Sequence, residues 1–232
     1  MNYIGQSVTK AFELILGFDP DIYFIVWTSV RIAATSAFLA TLAGVPLGLL
    51  LALKKFKGKR VVSAILNTLM AVPTVVIGIL VYSFLTRQAP LGSMGLLFTP
   101  TAIVIGQFFL AFPIVAAMVF SVAQGKDKKI LKTAYGLGAT PFGAIKSFIW
   151  EIKIPLLAAI MAGFGRVIGE VGVAMMLGGN IYRYTRTMTT AIALETSKGE
   201  FALGLALGFI LLIVALGVNS TVSYINYRSE KA

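Results

Sequence analysis

The 232-residue chain is 58% hydrophobic and only 12% charged, with a formal charge of +11, no cysteine and no histidine. So apolar a composition lies outside the soluble range and places the chain in a membrane. The missing residues exclude disulfides, thiolate metal sites and the commonest general base, while the positive charge of so apolar a chain suits cytoplasmic loops beside anionic lipid better than nucleic acid.

The first segment, "MNYIGQSVTKAFELILGFDPD", carries one lysine and a short apolar run. It lacks the cationic start and small-residue cleavage site of a signal peptide. It is expected to form a short amphipathic helix on one membrane face, stopped by Asp19, Pro20 and Asp21. A crossing takes about 20 apolar residues for about 30 Å of hydrocarbon. Five stretches qualify: 23–53, interrupted by Arg31; 61–85; 102–123; 154–177, which holds Arg166 and Glu170; and 201–225. Pro46, Pro73 and Pro113 sit inside the first three, where each removes a backbone donor and is expected to kink its helix. Gly165 and Gly169, like Gly204 and Gly208, are four apart, a spacing that lets helices pack closely. No internal repeat is evident, so an inverted-repeat carrier gains no support.

Cation placement sets the orientation. One set of loops holds Lys54, Lys55, Lys57, Lys59, Arg60, Lys126, Lys128, Lys129, Lys132, Lys146, Lys153, Arg228 and Lys231. The other holds Lys10, Arg87, Arg183, Arg186 and Lys198, diluted by five acidic residues. Thirteen cations against five put the first set in the cytoplasm, the N-terminus outside and the C-terminus inside.

Between the third and fourth stretches lies "KTAYGLGATPFGAIKSF", a cationic, Gly-centred segment. Residues 128–137 are expected to form a short helix with Ile130, Leu131, Ala134, Tyr135 and Leu137 on its apolar side. Gly138 suits the left-handed residue that closes such a helix. Thr140 suits the N-cap, and Pro141 the first position, of a second helix. Two short helices should therefore meet at a tight corner. An interfacial helix resting on lipid and a docking surface for another protein both fit this chemistry.

Residues 131–181, "LKTAYGLGATPFGAIKSFIWEIKIPLLAAIMAGFGRVIGEVGVAMMLGGNI", resemble the cytoplasmic "EAA" loop and following helix of binding-protein-dependent ABC importer permeases. Residues 29–78 are similar to the first two core helices of the oxyanion branch of that superfamily. The resemblance covers residues 28–223. Lys132, Thr133 and Ala134 stand where the family usually has Glu-Ala-Ala, and the proline after the glycine comes late, at Pro155. With "GFGRVIGEVGVAMMLGGN", these departures look most like tungstate permeases.

The resemblance implies an all-α membrane protein with five core transmembrane helices of the type I importer fold. Residues 1–21 would be a peripheral helix, 22–226 the permease domain with a coupling loop at about 126–150, and 227–232 a cytoplasmic tail. It further implies a homodimer in the cell membrane, a cytoplasmic ATPase dimer docked at Ala134, Tyr135, Gly138, Ala139, Thr140, Pro141 and Ile145, and an external binding protein. The cargo would be tungstate, or by the same machinery molybdate or sulfate. The chain would hold no cofactor, ATP and Mg²⁺ being bound by the ATPase. The sequence agrees with that division: its Gly-Lys pairs, at 58–59 and 125–126, are followed by Arg60 and Asp127, so the phosphate-binding pattern G-x-x-x-x-G-K-[ST] is missing. An autonomous channel or ion-coupled carrier is the reading from another class.

Arg166 and Glu170 are spaced to share one face of the fourth span. An isolated charge at mid-membrane costs at least about 2.5 kcal/mol, which a pair partly offsets. An internal salt bridge locking helices and a gate on the translocation path, with Gly169, Gly172 and Asn180, both fit. Arg31 is placed to attract an anion or to snorkel outward. Gly178, Gly179, Asn180, Arg183 and Arg186 follow on the outer side, where an anion, the binding protein or solvent would meet them. No nucleophile with a positioned base is apparent, so an enzyme is not expected.

Overall fold

The computed structural model describes residues 3–54, 56–127 and 129–230, without side-chain detail at 3, 4, 222 and 225–230. Lys55, Lys128 and Lys231, three of the cations expected on the inner side, and the last residues of the tail lie outside the described residues. The described residues form helices and no strand. Helix α1 spans Tyr3–Leu16, and α2 spans Pro20–Leu53. The first segment does not stop where its acidic residues and proline suggest. Gly17 N–H closes α1 on Glu13 O at 2.7 Å, and Phe18 takes a left-handed φ of 51°. Asp19 instead starts the next helix: its Oδ1 accepts from the N–H groups of Asp21 and Ile22, with Pro20 in the first turn. Helix α1 docks on the last helix, α11 (Phe201–Glu230): Ala11 is fully buried and Phe12 stacks on Phe209 at 5.4 Å.

Helix α2 packs most extensively on α5, Pro100–Gly125, which is also uninterrupted across its internal proline. The two run in the same direction. Ser36 meets Gln107, 71 residues on, and Gly44 meets Val115 and Gly48 meets Val119 at that same offset. A Cβ at Gly48 would stand 2.7 Å from the Ala116 carbonyl oxygen, so this seam needs glycine. The glycine pairs singled out by spacing do not make such contacts within the chain. A Cβ at Gly165, Gly169 or Gly208 would meet nothing within 4 Å, and one at Gly204 only Thr196 Oγ1 at 3.6 Å.

The second and fourth stretches are not single helices. Helix α3 spans Lys59–Ala71 and α4 spans Thr74–Leu85, bent by 100°. Pro73 holds Val72 extended (ψ 130°), which ends α3, and itself sits at the N-cap of α4. Helices α6 (Lys129–Gly136) and α7 (Pro141–Glu151) lead to α8 (Lys153–Ile168), which bends 74° from α7. The expected continuous 154–177 helix stops at Ile168 and resumes as α9, Gly172–Gly178. Helix α10 spans Met188–Lys198. Helices α2, α5 and α11 are long and apolar enough to cross a membrane, and two more spans arise when each bent pair counts as one. The main core joins α1, α2, α4, α5 and α8–α11. A second cluster ties Leu49 of α2 and Val115, Val119 and Ala123 of α5 to Phe148 of α7 and Ala159 of α8.

Candidate functional site: a cationic elbow and a broken helix

Two regions carry the residues marked by sequence. The first is the α6–α7 elbow. Gly138 has φ 80°, its N–H donates to Tyr135 O, and Ala139 N–H donates to Ala134 O, both at 3.0 Å. This pair of bonds closes α6 with a left-handed glycine. Thr140 Oγ1 then accepts from Gly143 N–H at 3.2 Å, with Pro141 in the first turn of α7. The corner has the expected form. Its apolar residues divide. Phe148 and Ala144 are fully buried and Ile130 and Leu131 pack behind them, fixing the elbow to the bundle. Leu137, Phe142, Tyr135 and Ile145 stand bare, the first two more than three-quarters exposed. Ala134 and Ala139 are partly covered, while Thr140, Pro141, Lys132 and Lys146 are exposed.

The second region is the α8–α9 break. Glu170 lies beyond the end of α8 and so is not on a common helical face with Arg166, yet Arg166 Nη1 donates to Glu170 Oε2 at 2.8 Å. The pair is unequal: the Glu170 side chain is 5% exposed and Arg166 38%. Glu170 Oε1 accepts from Val173 N–H at 3.4 Å, and its backbone carbonyl accepts from Thr189 Oγ1 at 2.8 Å. A Cβ at Gly172 would stand 3.3 Å from both Glu170 Oε1 and Thr74 Oγ1, so the two broken helices meet at this carboxylate. Gly169 is exposed beside it. Interrupted helices at membrane depth need their freed backbone groups satisfied by protein or by a water-lined cavity. Here Gln107 Nε2 donates to Val167 O at 3.1 Å, and Gln107 Oε1 accepts from Ser36 Oγ at 3.1 Å.

Asn180 belongs to a neighbouring knot rather than to the carboxylate. Its φ is 51°, its Nδ2 donates to Thr190 O at 3.4 Å, and its Oδ1 is buried without a protein partner, as is Arg186 Nε. Gly178 is pressed against Ile103, and Gly179 turns at φ 68° beside Phe98. Arg183 is not free for an anion: its guanidinium donates to Asp21 Oδ1 at 2.8 Å, and Tyr182 Oη donates to Asp21 Oδ2 at 2.6 Å. Donation to this carboxylate raises both the Tyr182 phenol and the Arg183 guanidinium above their ordinary pKa values. Arg186 lies over the Tyr182 ring at 5.3 Å. Arg31 is exposed on a groove of ≈ 680 Å³ with Thr35, Thr101 and Tyr184.

Sequence reasoning missed three polar anchors. Gln107 is 3% exposed, Ser29 accepts from Met188 N–H at 2.7 Å, and Thr187 caps α10 in a box with Thr190. The signal was available for Gln107: it is the lone amide in "AIVIGQFFLAF", a run where a polar side chain needs a buried partner.

The chain is 37% identical over 222 residues to a tungstate uptake system permease protein of Peptoclostridium acidaminophilum, covering 96% of this chain and 97% of that one. It is 38% identical over 219 residues to the corresponding tungstate uptake permease of Campylobacter jejuni, covering 94% and 92%. In structure it is similar to a chain of a bacterial alginate ABC transporter solved with an alginate-bound periplasmic protein (TM-score 0.73, 17% identity, covering 97% of this chain and 86% of that chain). That likeness gives the fold, which is the type I importer permease fold. The model of the family "binding-protein-dependent transport system inner membrane component" matches residues 44–231, and the chain belongs to that family, as a membrane transport subunit rather than an enzyme.

Proposed function

We propose that this permease forms, with a second copy of itself, the membrane path of an ATP-driven importer for tungstate. The observation that carries the ATP-driven part is the elbow: a rigid corner anchored by Phe148 that presents bare Leu137 and Phe142 between Lys132 and Lys146. Exposed apolar residues framed by cations suit a protein partner better than solvent. That partner is a cytoplasmic ATPase dimer, which binds ATP and Mg²⁺ and touches Ala134, Tyr135, Gly138, Ala139, Thr140, Pro141 and Ile145. The cation asymmetry supports an outer N-terminus and an inner C-terminus. A binding protein then delivers cargo to the outer loop around Tyr182. Tungstate as cargo rests on the likeness to the two tungstate uptake permeases. Arg166, Glu170, Gly169 and Gly172 form the gate region of the path, with Asn180 in the knot beside it and the Arg166–Glu170 pair as the element that gates.

The experiment has two parts. Calorimetry on the partner binding protein is expected to show tungstate bound far more tightly than sulfate, with molybdate as the close competitor, and selectivity for sulfate overturns the cargo. Uptake into liposomes is expected only with ATPase, ATP and binding protein present. Uptake by the chain alone without ATP overturns the importer reading in favour of an autonomous carrier.

A further inference from the structure

We infer that Gln107 is the positioning residue through which movement of the inner elbow reaches the Arg166–Glu170 break. The inference rests on the reading that an ATPase docks on the elbow, and it adds the route from that elbow to the gate.

Helix α5 is continuous from Pro100 to Gly125, and α6 begins at Lys129, so the elbow hangs directly from its inner end. Packing of Phe148 of α7 in one cluster with Val119 and Ala123 of α5 makes that joint stiff. Gln107 lies about 27 Å further up the same helix, at a rise of about 1.5 Å per residue. There two consecutive residues of α5 hold the two sides of the break. On one side, any Cβ at Gly106 would collide with Val173 and Leu177, so α9 is seated directly on the α5 backbone. On the other, Gln107 Nε2 bonds the carbonyl of Val167, one residue before the end of α8. That carbonyl has no regular helical partner, because the backbone departs at Gly169; it also accepts from Glu170 N–H at 3.2 Å. The other end of the amide is fixed as well, by Ser36 of α2.

A tilt or shift of α5 is therefore delivered to both flanks of a three-residue interruption, whose middle residue, Glu170, is tied back to α8 by Arg166. Coupling needs an element with discrete arrangements that both sites bias. The end of α8 is such an element: the Val167 carbonyl keeps its local bond from Glu170 N–H, while the second bond, from a side chain of another helix, is either made or broken.

The test uses the whole complex in liposomes, with Gln107→Leu, Gln107→Met and Ser36→Ala. Two quantities are read. One is tungstate imported per ATP hydrolysed. The other is labelling of a single introduced thiol, from Val171→Cys, by an impermeant maleimide with and without a non-hydrolysable ATP analogue; the chain has no native cysteine and Val171 is 38% exposed. Gln107→Leu and Gln107→Met, both lacking the donor to Val167, are expected to keep the ATPase bound and hydrolysing. Import per ATP should fall about tenfold, and the nucleotide-dependent change in labelling of the introduced thiol should vanish. Ser36→Ala, which removes only the outer leg, should give a smaller loss in the same direction and carries the test if the Gln107 variants fail to fold. An unchanged import ratio together with unchanged nucleotide-dependent labelling overturns the inference, whatever happens to thermal stability. So does a parent complex, carrying only Val171→Cys, whose labelling ignores nucleotide, since nothing is then transmitted. A parent complex that labels in a nucleotide-dependent way but imports no tungstate overturns the cargo and leaves the inference standing.

Discussion

The elbow and the α8–α9 break are both interruptions between helices, and both turn on glycine, but they are held in opposite ways. At the elbow every closing bond is local: Gly138 to Tyr135, Ala139 to Ala134, Gly143 to Thr140. A Cβ at Gly136 or Gly138 would meet nothing within 4 Å. At the break the local bond from Glu170 N–H to Val167 is joined by bonds from afar, from Gln107 and Thr189, with Arg166 reaching over from α8, and a Cβ at Gly172 would stand 3.3 Å from Glu170 Oε1 and Thr74 Oγ1. The first region keeps its shape whatever surrounds it, as a surface offered to a partner must. The second keeps its shape only while its neighbours stay in place, which is what a gate needs.

The contrast can be broken most decisively at the elbow. Gly138→Asp forces a side chain into φ 80° and puts a negative charge among the elbow's lysines. The ATPase retained in pull-down is expected to drop about tenfold or more, worth about 1.4 kcal/mol per decade. Gly138→Asn, tolerant of the left-handed conformation and neutral, should retain most of it. Full retention by the aspartate variant would falsify the docking assignment.

Next in size is the Arg166–Glu170 pair. Arg166→Met leaves a 5% exposed carboxylate without its cation. The loss should fall below the about 3–5 kcal/mol typical of a fully buried pair, because solvent reaches the arginine side. Adding Glu170→Gln should recover more than half of it, read as thermal unfolding in detergent across a double-mutant cycle. An additive cycle would mean that the two side chains do not depend on one another.

The smallest effects sharpen the comparison. Ser29→Ala orphans the buried Met188 N–H, at about 1–3 kcal/mol, whereas Thr140→Ala costs the elbow about 1 kcal/mol as an exposed cap. Amide exchange should show the same division, with the Met188 amide well protected and Gly143 exchanging readily. Equal protection would erase the distinction.

These differences also explain what could be read from the sequence. The elbow was legible because its turn is closed by residues that sit side by side: Gly138, Thr140 and Pro141 each have a strong conformational preference of their own. The five apolar stretches were legible by length. The break was not, since "GFGRVIGEVGVAMML" reads as a continuous apolar helix, and the amide of Gln107, far away in the chain, is the distant partner that helps satisfy an end at Ile168. Pro73 gave a clear signal whose consequence was underestimated: a full change of direction in place of a kink. Gly165, Gly169 and Gly208 misled for the opposite reason, since spacing alone does not say whether a neighbour is there.

The register shared by α2 and α5 limits how the bundle can rearrange. Gly44 and Gly48 admit Val115 and Val119 into notches in the α2 surface, and a small axial slip would drive those branched side chains into the next shoulder. Like a key seated in a keyway, the two helices are shaped to rock as a unit rather than creep past each other, so a tilt imposed on one end of α5 carries α2 with it.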